Sequence, residues 1–384
     1  MNSGERKADY DVIIAGGGLA GLVSAILYAR SKKKVLLIEK KSYPYHKVCG
    51  EYVSNEVLGF LQSLGFDPFR HGASRINRLR ISSPRGKNYF CNLDLGGFGL
   101  SRYVMDESLF RLAIKAGAEV MQSTRVTGIQ HREETFAVEI NNSEVIHSSF
   151  VIGSYGKRDS LDKKLERPFI RSHTGFMGVK YHIKTSYPVN EIGLDNFRNG
   201  YCGISKIEGD NYNLCYLFNR NGTDFSSISE LEEQVLFQNP TLKKLFEQSD
   251  FVYDQPLVIN EISFAPKEKV AGHVLMCGDT AGLITPVCGN GMSMAIHSAK
   301  MLYSLIINSG LLDQKVITMK DRLRIEKEYI HEWKKHFAMR LFFGRSLQHI
   351  FGNPFFTGAG LKLIHSVPAF EQWLISGTHG RELA

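Results

Sequence analysis

The chain has 384 residues, 43% of them hydrophobic, and a formal net charge of +8 at pH 7. More than one domain is expected at this length, because a single core rarely keeps growing beyond it. No run reaches the ~18 apolar residues that cross a bilayer, and the polar start lacks the apolar segment of a secretion signal, so we expect a cytoplasmic protein. Six scattered cysteines without a C-x-x-C pair disfavour a zinc site and a disulfide framework. We therefore expect no bound metal.

The first predicted element is a strand, turn and helix of the kind that binds dinucleotides. Val12–Ile14 is a short apolar strand, and the helix predicted from Leu19 to Arg30 would direct its unpaired backbone N–H groups at a phosphate. Gly16 permits the tight turn, Gly18 lets the backbone approach a pyrophosphate, and Gly21 lets the helix pack closely on the sheet. A glycine pattern alone is also compatible with an ordinary turn. The predicted dinucleotide contacts at this turn are Gly16, Gly18, Leu19, Ala20 and Gly21.

An acid follows the second predicted strand, Val35–Ile38, at the position that binds ribose in dinucleotide folds. Glu39 comes eighteen residues after Gly21, near the ~20 expected, and its carboxylate favours an unphosphorylated ribose. A strand pair predicted over residues 120–140 would reach the adenine. We therefore add Glu39, Lys40 and Val126 to the predicted dinucleotide contacts.

The middle of the chain predicts an antiparallel sheet. From Phe169 to Ala265, stretches such as Gly178–Ile183 and Asn213–Phe218 alternate in character and are separated by turn sequences. A helix over residues 229–237 interrupts this pattern. Aromatic residues that would line an apolar substrate pocket against the cofactor, but that are equally compatible with a sheet core, are Phe176, Tyr181, Tyr201, Tyr216 and Phe218. As a group they suggest a hydrophobic substrate.

A second glycine-rich segment, late in the chain, decides between NAD and FAD. His273–Cys277 is predicted to be a buried strand that ends at Gly278 and Asp279, and a helix is predicted over Gly291–Asn308. An acid at a strand end can bond a ribityl hydroxyl, and bare N–H groups before a helix suit the N1–C2=O edge of a reduced flavin. An ordinary N-cap and turn would give the same pattern. The predicted flavin contacts are Gly278, Asp279, Pro286, Gly289, Asn290 and Gly291.

The C-terminal region is predicted to be helical and basic. Apolar residues spaced by three, four or seven positions predict an amphipathic helix with the stripe Met319, Leu323, Ile330, Trp333, Phe337 and Leu341. Arg322, Lys334 and Arg340 lie off this stripe. Such a helix can dock on its own domain, or it can rest peripherally on anionic lipid and collect a lipophilic substrate, whereas nucleic acid explains the charge poorly. The sequence leaves monomer and dimer open.

These elements predict an α/β protein. The predicted fold is a Rossmann-like FAD-binding domain with an inserted antiparallel β-sheet substrate domain and a helical C-terminal region. The FAD-binding parts are predicted at residues 1–160 and 271–310, the substrate domain at 161–270, and the helical region at 311–384.

Three further segments, taken with both glycine motifs, resemble one group of flavoproteins. They are Lys47–Glu51, Leu100–Asp106 with Leu109 and Ala113, and the strand pair Tyr201–Ile204 and Asn213–Cys215. Together they are similar to the p-hydroxybenzoate hydroxylase superfamily and, within it, to the geranylgeranyl reductase family. The resemblance implies that Lys47 and Cys49 lie beside the isoalloxazine and that Arg102 meets the FAD phosphates. There the Cys49 thiol could position a substrate or shuttle a proton, or it could simply pack.

The chain departs from this superfamily at one position. Many of its hydroxylases carry an Asp-Gly after the strand that closes the first half, where it serves both FAD and NADPH. Here Gly153-Ser154 is followed by Tyr155-Gly156. The missing acid disfavours direct reduction by NADPH, although Lys157 and Arg158 could still attract a phosphate of NADPH or NADH.

Three functions are compatible with the sequence. The leading one is an FAD-dependent reductase that transfers hydride from flavin N5 to a carbon–carbon double bond of a lipophilic, isoprenoid- or polyketide-like substrate. The second is an aromatic monooxygenase, which the missing Asp-Gly disfavours; a halogenase is less favoured still, because the Trp-x-Trp signature is absent. The third is a flavin-binding electron carrier without turnover, which an enclosed substrate sheet disfavours.

Overall fold

The computed structural model describes residues 8–350 except 133, 172 and 222–224, together with residues 380, 382 and 383. Its strands are, in chain order, β1 (Tyr10–Ala15), β2 (Val35–Ile38), β3 (Tyr52–Ser54), β4 (Ser74–Ser82), β5 (Asn88–Gly99), β6 (Glu119–Met121), β7 (Val126–Arg132), β8 (Thr135–Ile140), β9 (Glu144–Gly153), β10 (Phe176–Lys184), β11 (Glu191–Phe197), β12 (Gly200–Lys206), β13 (Tyr212–Asn219), β14 (Asp250–Phe251), β15 (Leu257–Ile259), β16 (Val270–Ala271) and β17 (Val274–Met276). Its α-helices are α1 (Leu19–Arg30), α2 (Leu58–Ser63), α3 (Arg102–Ala116), α4 (Ser160–Lys164), α5 (Ile228–Gln234), α6 (Pro240–Glu247), α7 (Gly291–Asn308) and α8 (Met319–Ile350).

The first sheet has a parallel core. Its strands lie in the order β16-β17-β9-β1-β2-β6; all except β16 run parallel, and the β7–β8 hairpin joins β9. Val12–Ala15 and Val35–Ile38 are at most 1% exposed, as expected for apolar parallel strands that are covered on both faces. Because α1 is also buried along nearly its whole length, the main core of the protein lies here.

The second sheet is mostly antiparallel and has two different faces. Its order is β14-β10-β13-β12-β11-β4-β5-β3, with β15 paired to β10 and one parallel contact between β11 and β4. On the outer face, residues of α5 and α6 cover an apolar cluster that includes Val179, Leu214 and Phe246. The inner face contributes Tyr201 and Leu217 to the main core, so the two sheets share a packed boundary.

The mixed α/β class is confirmed, and the helices predicted at residues 19–30 and 291–308 coincide with α1 and α7. The strand layout differs from the prediction at one place. Strands β3, β4 and β5 lie within residues 1–160 but pair in the second sheet. Their link to that sheet is the pairing of β4 with β11, roughly a hundred residues later, which local sequence does not reveal. The boundaries at 160, 270 and 310 stay predictions.

The C-terminal helix α8 docks on the main core. Its buried apolar residues are Ile325, Tyr329, Trp333, Phe337, Leu341 and Leu347. The predicted stripe is wrong at the first turns, where Met319 and Leu323 are 44% and 50% exposed. Arg322, predicted off the stripe, is 1% exposed and lies between the rings of Phe136 and Phe150. The buried face is displaced because the start of α8 packs on β8 and β9, where Arg322 also donates to a backbone carbonyl of β9 at 2.9 Å.

Residues 351–379 of the predicted helical region lie outside the described residues. Near the chain end, the backbone N–H groups of Gly380 and Leu383 donate to the Glu56 side chain at 2.5 Å and to its carbonyl at 2.7 Å. None of the helices in the described part of the chain combines the length and the hydropathy that a membrane span requires.

Candidate active site

The glycine turn lies between β1 and α1, and its backbone leaves no room for larger residues. Gly16 has a φ of +107°, and a Cβ there would lie 2.6 Å from the Ser154 carbonyl oxygen. A Cβ on Gly21 would collide with the Gly16 carbonyl. Gly18, the N-cap of α1, has no side chain that could cap the helix. The backbone N–H groups of the first turn, which begins at Leu19, are therefore left for a ligand.

Glu39 lies against this turn at the end of β2. Its Oε2 accepts the Gly17 N–H at 2.7 Å, its Oε1 accepts the N–H two residues later at 3.0 Å, and the residue is 5% exposed. The acid predicted to bind ribose is therefore fixed beside the predicted phosphate site. Lys40 and Val126 are the other two dinucleotide contacts predicted with Glu39. Lys40 Nζ donates to Asp159 at 2.8 Å, and Val126 is buried at the start of β7.

The second glycine-rich segment meets the first turn of α1. A Cβ on Gly278, whose φ is +62°, would lie 3.0 Å from the Cβ of Ala20. Asp279 follows; its carbonyl accepts from Lys267 Nζ at 2.9 Å, while its carboxylate has no hydrogen-bond partner among the described residues. Burial lowers the pKa of Lys267 to about 8, against the opposing effect of Asp279. The structure thus brings the two glycine motifs together and leaves one acid available.

The rest of the second motif leads into α7. Pro286 opens a short helical turn over Pro286–Cys288, and Gly289 has a φ of +63° with its Cα facing the ring of Tyr52, where a Cβ would lie 3.1 Å away. Asn290 is fully buried, and α7 begins at Gly291. The structure therefore places these residues directly before the N-terminus of α7, and their contacts with a flavin edge stay predictions.

Arg102 lies at the start of α3, beside the glycine turn. Its Nη2 would be 3.9 Å from a Cβ on Gly18. Its guanidinium makes two bonds to Asp106, of 2.7 and 2.8 Å, and Lys47 Nζ lies 2.8 Å from the same carboxylate. Burial alone would raise the pKa of Asp106, but the two cations outweigh it and hold this pKa below its usual range. Arg102 and Lys47 thus lie beside the turn together with the carboxylates of Asp106 and Glu39. A guanidinium and an ammonium held at this position suit a pyrophosphate.

The Lys47–Glu51 loop lies between the two sheets. From the segment that follows β9 of the first sheet, Lys157 Nζ donates to a loop carbonyl at 3.3 Å. From β12 of the second sheet, Ser205 Oγ donates to another loop carbonyl at 3.5 Å. Cys49 is half-buried in this loop, and the two carbonyls that accept these bonds belong to the residues on either side of it, Val48 and Gly50. Cys215 lies on the inner face of β13. Burial, followed by the effect of Cys49, raises the pKa of Cys215 to about 12. The thiol predicted to be catalytic therefore lies at the boundary between the sheets.

The prediction of a substrate-pocket wall is wrong for three of its five aromatic residues, Tyr181, Tyr216 and Phe218. They lie on the outer face under α5 and α6, where both tyrosine hydroxyls donate to Glu232 Oε1 at 2.8 and 2.9 Å. Successive residues of a strand point to opposite faces, and the sequence does not say which face the two helices cover. The other two belong to the inner face: Tyr201 is 3% exposed, and Phe176 packs edge-on against Phe264.

The inner face of β10 carries two ionisable side chains, Lys180 and His182, that are not among the predicted site residues. Lys180 and His182 are 1% and 3% exposed, and both contact the carboxylate of Glu51, which is 0% exposed. They alternate with buried apolar residues of the outer face. The sequence pattern that indicates these buried ionisable residues is the placement of polar residues at alternate positions of an otherwise apolar strand.

These residues fit FAD. The uncapped start of α1 and the cations Arg102 and Lys47 beside it suit the pyrophosphate. Glu39 suits the adenosine ribose, and the carboxylate of Asp279 suits a ribityl hydroxyl. The direct contacts of individual residues with the cofactor stay predictions.

Comparison with known proteins identifies the domain and its relatives. Residues 9–192 match a family model described as an FAD binding domain. Digeranylgeranylglycerophospholipid reductase 1 of Methanococcoides burtonii is 24% identical over 358 residues, which cover 86% of this chain and 81% of that protein. Conditioned medium factor receptor 1 of Dictyostelium discoideum is 23% identical over 385 residues, which cover 89% of this chain and 72% of that protein.

Solved structures share the fold. A geranylgeranyl bacteriochlorophyll reductase-like protein from Thermoplasma acidophilum has a TM-score of 0.72 and 18% identity, covering 97% of this chain and 92% of that one. The halogenase PltM, in complex with phloroglucinol and FAD, has a TM-score of 0.73 and 16% identity, covering 96% and 85%. At these identities the structural likeness shows the fold alone.

Proposed function

We propose that this chain, an FAD-dependent oxidoreductase of the geranylgeranyl reductase family, reduces carbon–carbon double bonds of a lipophilic, isoprenoid- or polyketide-like substrate. When bound, FAD supplies the hydride for this reaction from its N5 atom. The observation that carries the proposal is the position of the Lys47–Glu51 loop. Lys180 and Ser205 of the second sheet donate to carbonyls of this loop, which therefore holds Cys49 beside the inner face where Lys180 and His182 are buried. The relative from M. burtonii is by its name a reductase of a digeranylgeranyl lipid, which supports a prenyl-like substrate.

The chain's own residues would hold the cofactor and keep the site dry. We assign the pyrophosphate to Arg102 and the first turn of α1, the ribose to Glu39 and the ribityl chain to Asp279. The inner face beside them is apolar at Tyr201 and Leu217, which are each 3% exposed and would exclude water from the reacting carbons. Cys49 would position the substrate or hold a proton for the carbon opposite the hydride.

The proposed reductant is a reduced pyridine nucleotide, NADPH or NADH. The Asp-Gly that the hydroxylases carry is replaced here by Tyr155-Gly156. The preceding residue, Ser154, donates its Oγ hydrogen to the Gly16 carbonyl at 2.7 Å and ties the end of β9 to the glycine turn. Lys157 is engaged with the Cys49 loop, and Arg158 lies 3.8 Å from Glu261. A nucleotide phosphate would therefore compete with Glu261 for Arg158, and we expect weak binding of the donor.

Peripheral contact with anionic lipid is part of the same proposal, for a protein that we place in the cytoplasm. The outer surface of α8 exposes Met339 and Phe342 at 63% and 58%. The basic side chains of Arg324 and Lys335 are 61% and 64% exposed on the same helix. Apolar and basic side chains together on one helix surface favour an interfacial position, from which a lipophilic substrate would be collected.

Stopped-flow spectroscopy of the reduced enzyme tests this function against the aromatic monooxygenase. The FAD-loaded protein is reduced without oxygen and then mixed either with a geranylgeranyl lipid or with oxygen. We expect the lipid to reoxidise the flavin anaerobically and oxygen to reoxidise it promptly, without a hydroperoxide absorbance. A lasting hydroperoxide absorbance, with no reoxidation by the lipid, would favour the monooxygenase.

A further inference from the structure

A chain of hydrogen-bonded side chains runs from partly exposed residues at the surface to the boundary between the two sheets. His46 Nε2 lies 2.7 Å from the Tyr253 hydroxyl, which lies 3.1 Å from His182 Nδ1. His182 Nε2 lies 2.7 Å from Glu51 Oε2, and the other oxygen of Glu51 accepts from Lys180 Nζ at 2.5 Å. We call these five residues the relay.

Burial increases along the relay. His46 and Tyr253 are partly exposed, His182 is 3% exposed, and Glu51 and Lys180 are 0% and 1% exposed. Its links therefore lead from solvent toward a dry interior.

The inner end of the relay reaches the back of the loop that carries Cys49. Lys180 Nζ also donates to the Lys47 carbonyl at 3.1 Å, at the start of that loop. Within the sheet, Lys180 pairs in register with Cys215 on the same inner face. A proton that leaves Lys180 is therefore released at the loop that carries Cys49.

Glu51 has its own bonds to the neighbouring elements, apart from the outer links of the relay. Glu51 is already held by Lys180 and by the backbone N–H of Arg102 at 2.7 Å, which fix the loop to β10 and α3. Tyr253 and His46 extend this network outward through groups that can each donate and accept a proton. Tyr103, 39% exposed, stacks on the His46 ring and completes the surface end.

Electrostatics along the relay favour a neutral outer histidine and an ionised inner acid. Burial lowers the pKa of His46, the nearby His182 and Lys180 lower it further, and Glu51 and Glu208 oppose them. Burial alone would raise the pKa of Glu51, but Lys180 and His182 outweigh it and hold this pKa below its usual range.

We propose that the relay His46–Tyr253–His182–Glu51 moves protons between solvent and the Lys180 ammonium. In the reaction, the Lys180 ammonium first gives a proton to the substrate carbon and becomes an amine. A proton from water then enters His46, and the hydrogens of the His46–Tyr253, Tyr253–His182 and His182–Glu51 bonds each move one group inward. Glu51, now protonated, passes its proton to the Lys180 amine and restores the ammonium, so one proton advances and no electrons move. The use of this proton rests on the proposed function. Reduction of a double bond breaks its π bond and forms two C–H bonds. The hydride and its electron pair come from FAD reduced by a pyridine nucleotide, and the proton comes from the Lys180 side.

Tyr253→Phe cuts the relay at one hydroxyl and leaves the bonds of Glu51 intact. Tyr212→Phe is the matched control, because its hydroxyl donates to a single backbone carbonyl at 2.6 Å and belongs to the outer-face cluster. Both variants are prepared as full-length, FAD-loaded protein, and their FAD content and melting temperatures are compared with those of the parent.

The first readout is the exchange of the Lys180 ammonium hydrogens with D₂O, followed by NMR on protein with labelled lysine. We expect exchange to slow at least tenfold in Tyr253→Phe and to be unchanged in Tyr212→Phe. Equal exchange in parent and Tyr253→Phe would overturn the relay. This readout requires no substrate, so its outcome is independent of the proposed reductase function.

The second readout is the rate at which a geranylgeranyl lipid reoxidises the reduced enzyme, measured in H₂O and D₂O. We expect Tyr253→Phe to lower this rate ten- to a hundredfold and to change its solvent isotope effect, consistent with lost proton transfer. Slowed exchange together with a parental reoxidation rate would retain the proton path but contradict its use in the reaction.

Discussion

At the scale of single residues, Asp279 tests the assignment of the second motif. A carboxylate without a hydrogen-bond partner among the described residues is expected to bind a ribityl hydroxyl, and one charge-assisted hydrogen bond contributes ~1.5–3 kcal/mol. Asp279→Ala should therefore weaken FAD binding by roughly ten- to a hundredfold. Asp210→Ala, in an exposed turn between β12 and β13, is the control. Equal FAD dissociation constants for the two variants, measured by fluorescence titration, would show that Asp279 does not contact the cofactor.

A substitution of Cys49 distinguishes a catalytic role of its thiol from a packing role. A serine hydroxyl is a much weaker acid than a thiol, so Cys49→Ser should keep FAD and slow product formation by roughly 10²–10⁴ if the thiol transfers a proton. Single-turnover assays with the reduced enzyme measure this rate. Turnover within about threefold of the parent would assign Cys49 to packing and leave Lys180 as the proton source.

Residue roles were predictable where the backbone alone imposes them. Gly16 and Gly21 follow from the turn, and Glu39 follows from its spacing. Tyr181 was assigned to the wrong face, because a strand pattern has two faces and does not show which one α5 and α6 cover. The role of Lys180 is not predictable from its own strand, because it depends on a contact with Glu51, a residue distant in the sequence.

At the scale of elements, the packing of α8 on α7 depends on an uncharged histidine. His297 of α7 lies with its ring centroid 5.2 Å from that of Phe337 of α8. Burial lowers the pKa of His297 to about 4, and His336, Arg340 and Lys300 lower it as well. Because the unfolded pKa is ~6.5, the unfolded chain binds this proton more readily. The stability that this histidine contributes is complete above about pH 6.5 and is lost as pH falls toward 4.

We therefore expect acidification from pH 7 to 4.5 to lower the free energy of unfolding by about 2–3 kcal/mol through His297. His297→Leu should remove this acid-induced decrease in the free energy of unfolding. His173→Leu should leave the decrease unchanged, because the His173 side chain is 87% exposed. Chemical denaturation at several pH values measures both. A loss of the same size in the parent and in His297→Leu would contradict the assignment.

Helices were predictable to different degrees. The bounds of α1 and α7 follow from glycines before an apolar run. The buried face of α8 does not, because the partners of its first turns are β8 and β9, and Arg322 is buried there between two aromatic rings.

At the scale of the whole molecule, the chain interleaves two sheets around one boundary. The α/β class and the parallel core were predictable from apolar runs and glycine turns. The early crossing of β4 into the second sheet was not, because its parallel partner β11 lies roughly a hundred residues away. The proposed site lies where these long-range pairings meet, so sequence alone located its cofactor half better than its substrate half.

The proposed function requires that the two glycine motifs form one FAD site. The motifs meet at Ala20 and Gly278, where a Cβ on Gly278 would lie 3.0 Å from the Ala20 Cβ. The most direct measurement is the mass of the cofactor that heat releases from purified protein, or from protein reconstituted with a mixture of FAD, FMN and NAD. We expect FAD at about one per chain, because Glu39 and the glycine turn suit a dinucleotide and Asp279 suits a ribityl chain. Release of FMN or NAD, or of no cofactor after reconstitution, would contradict the claim.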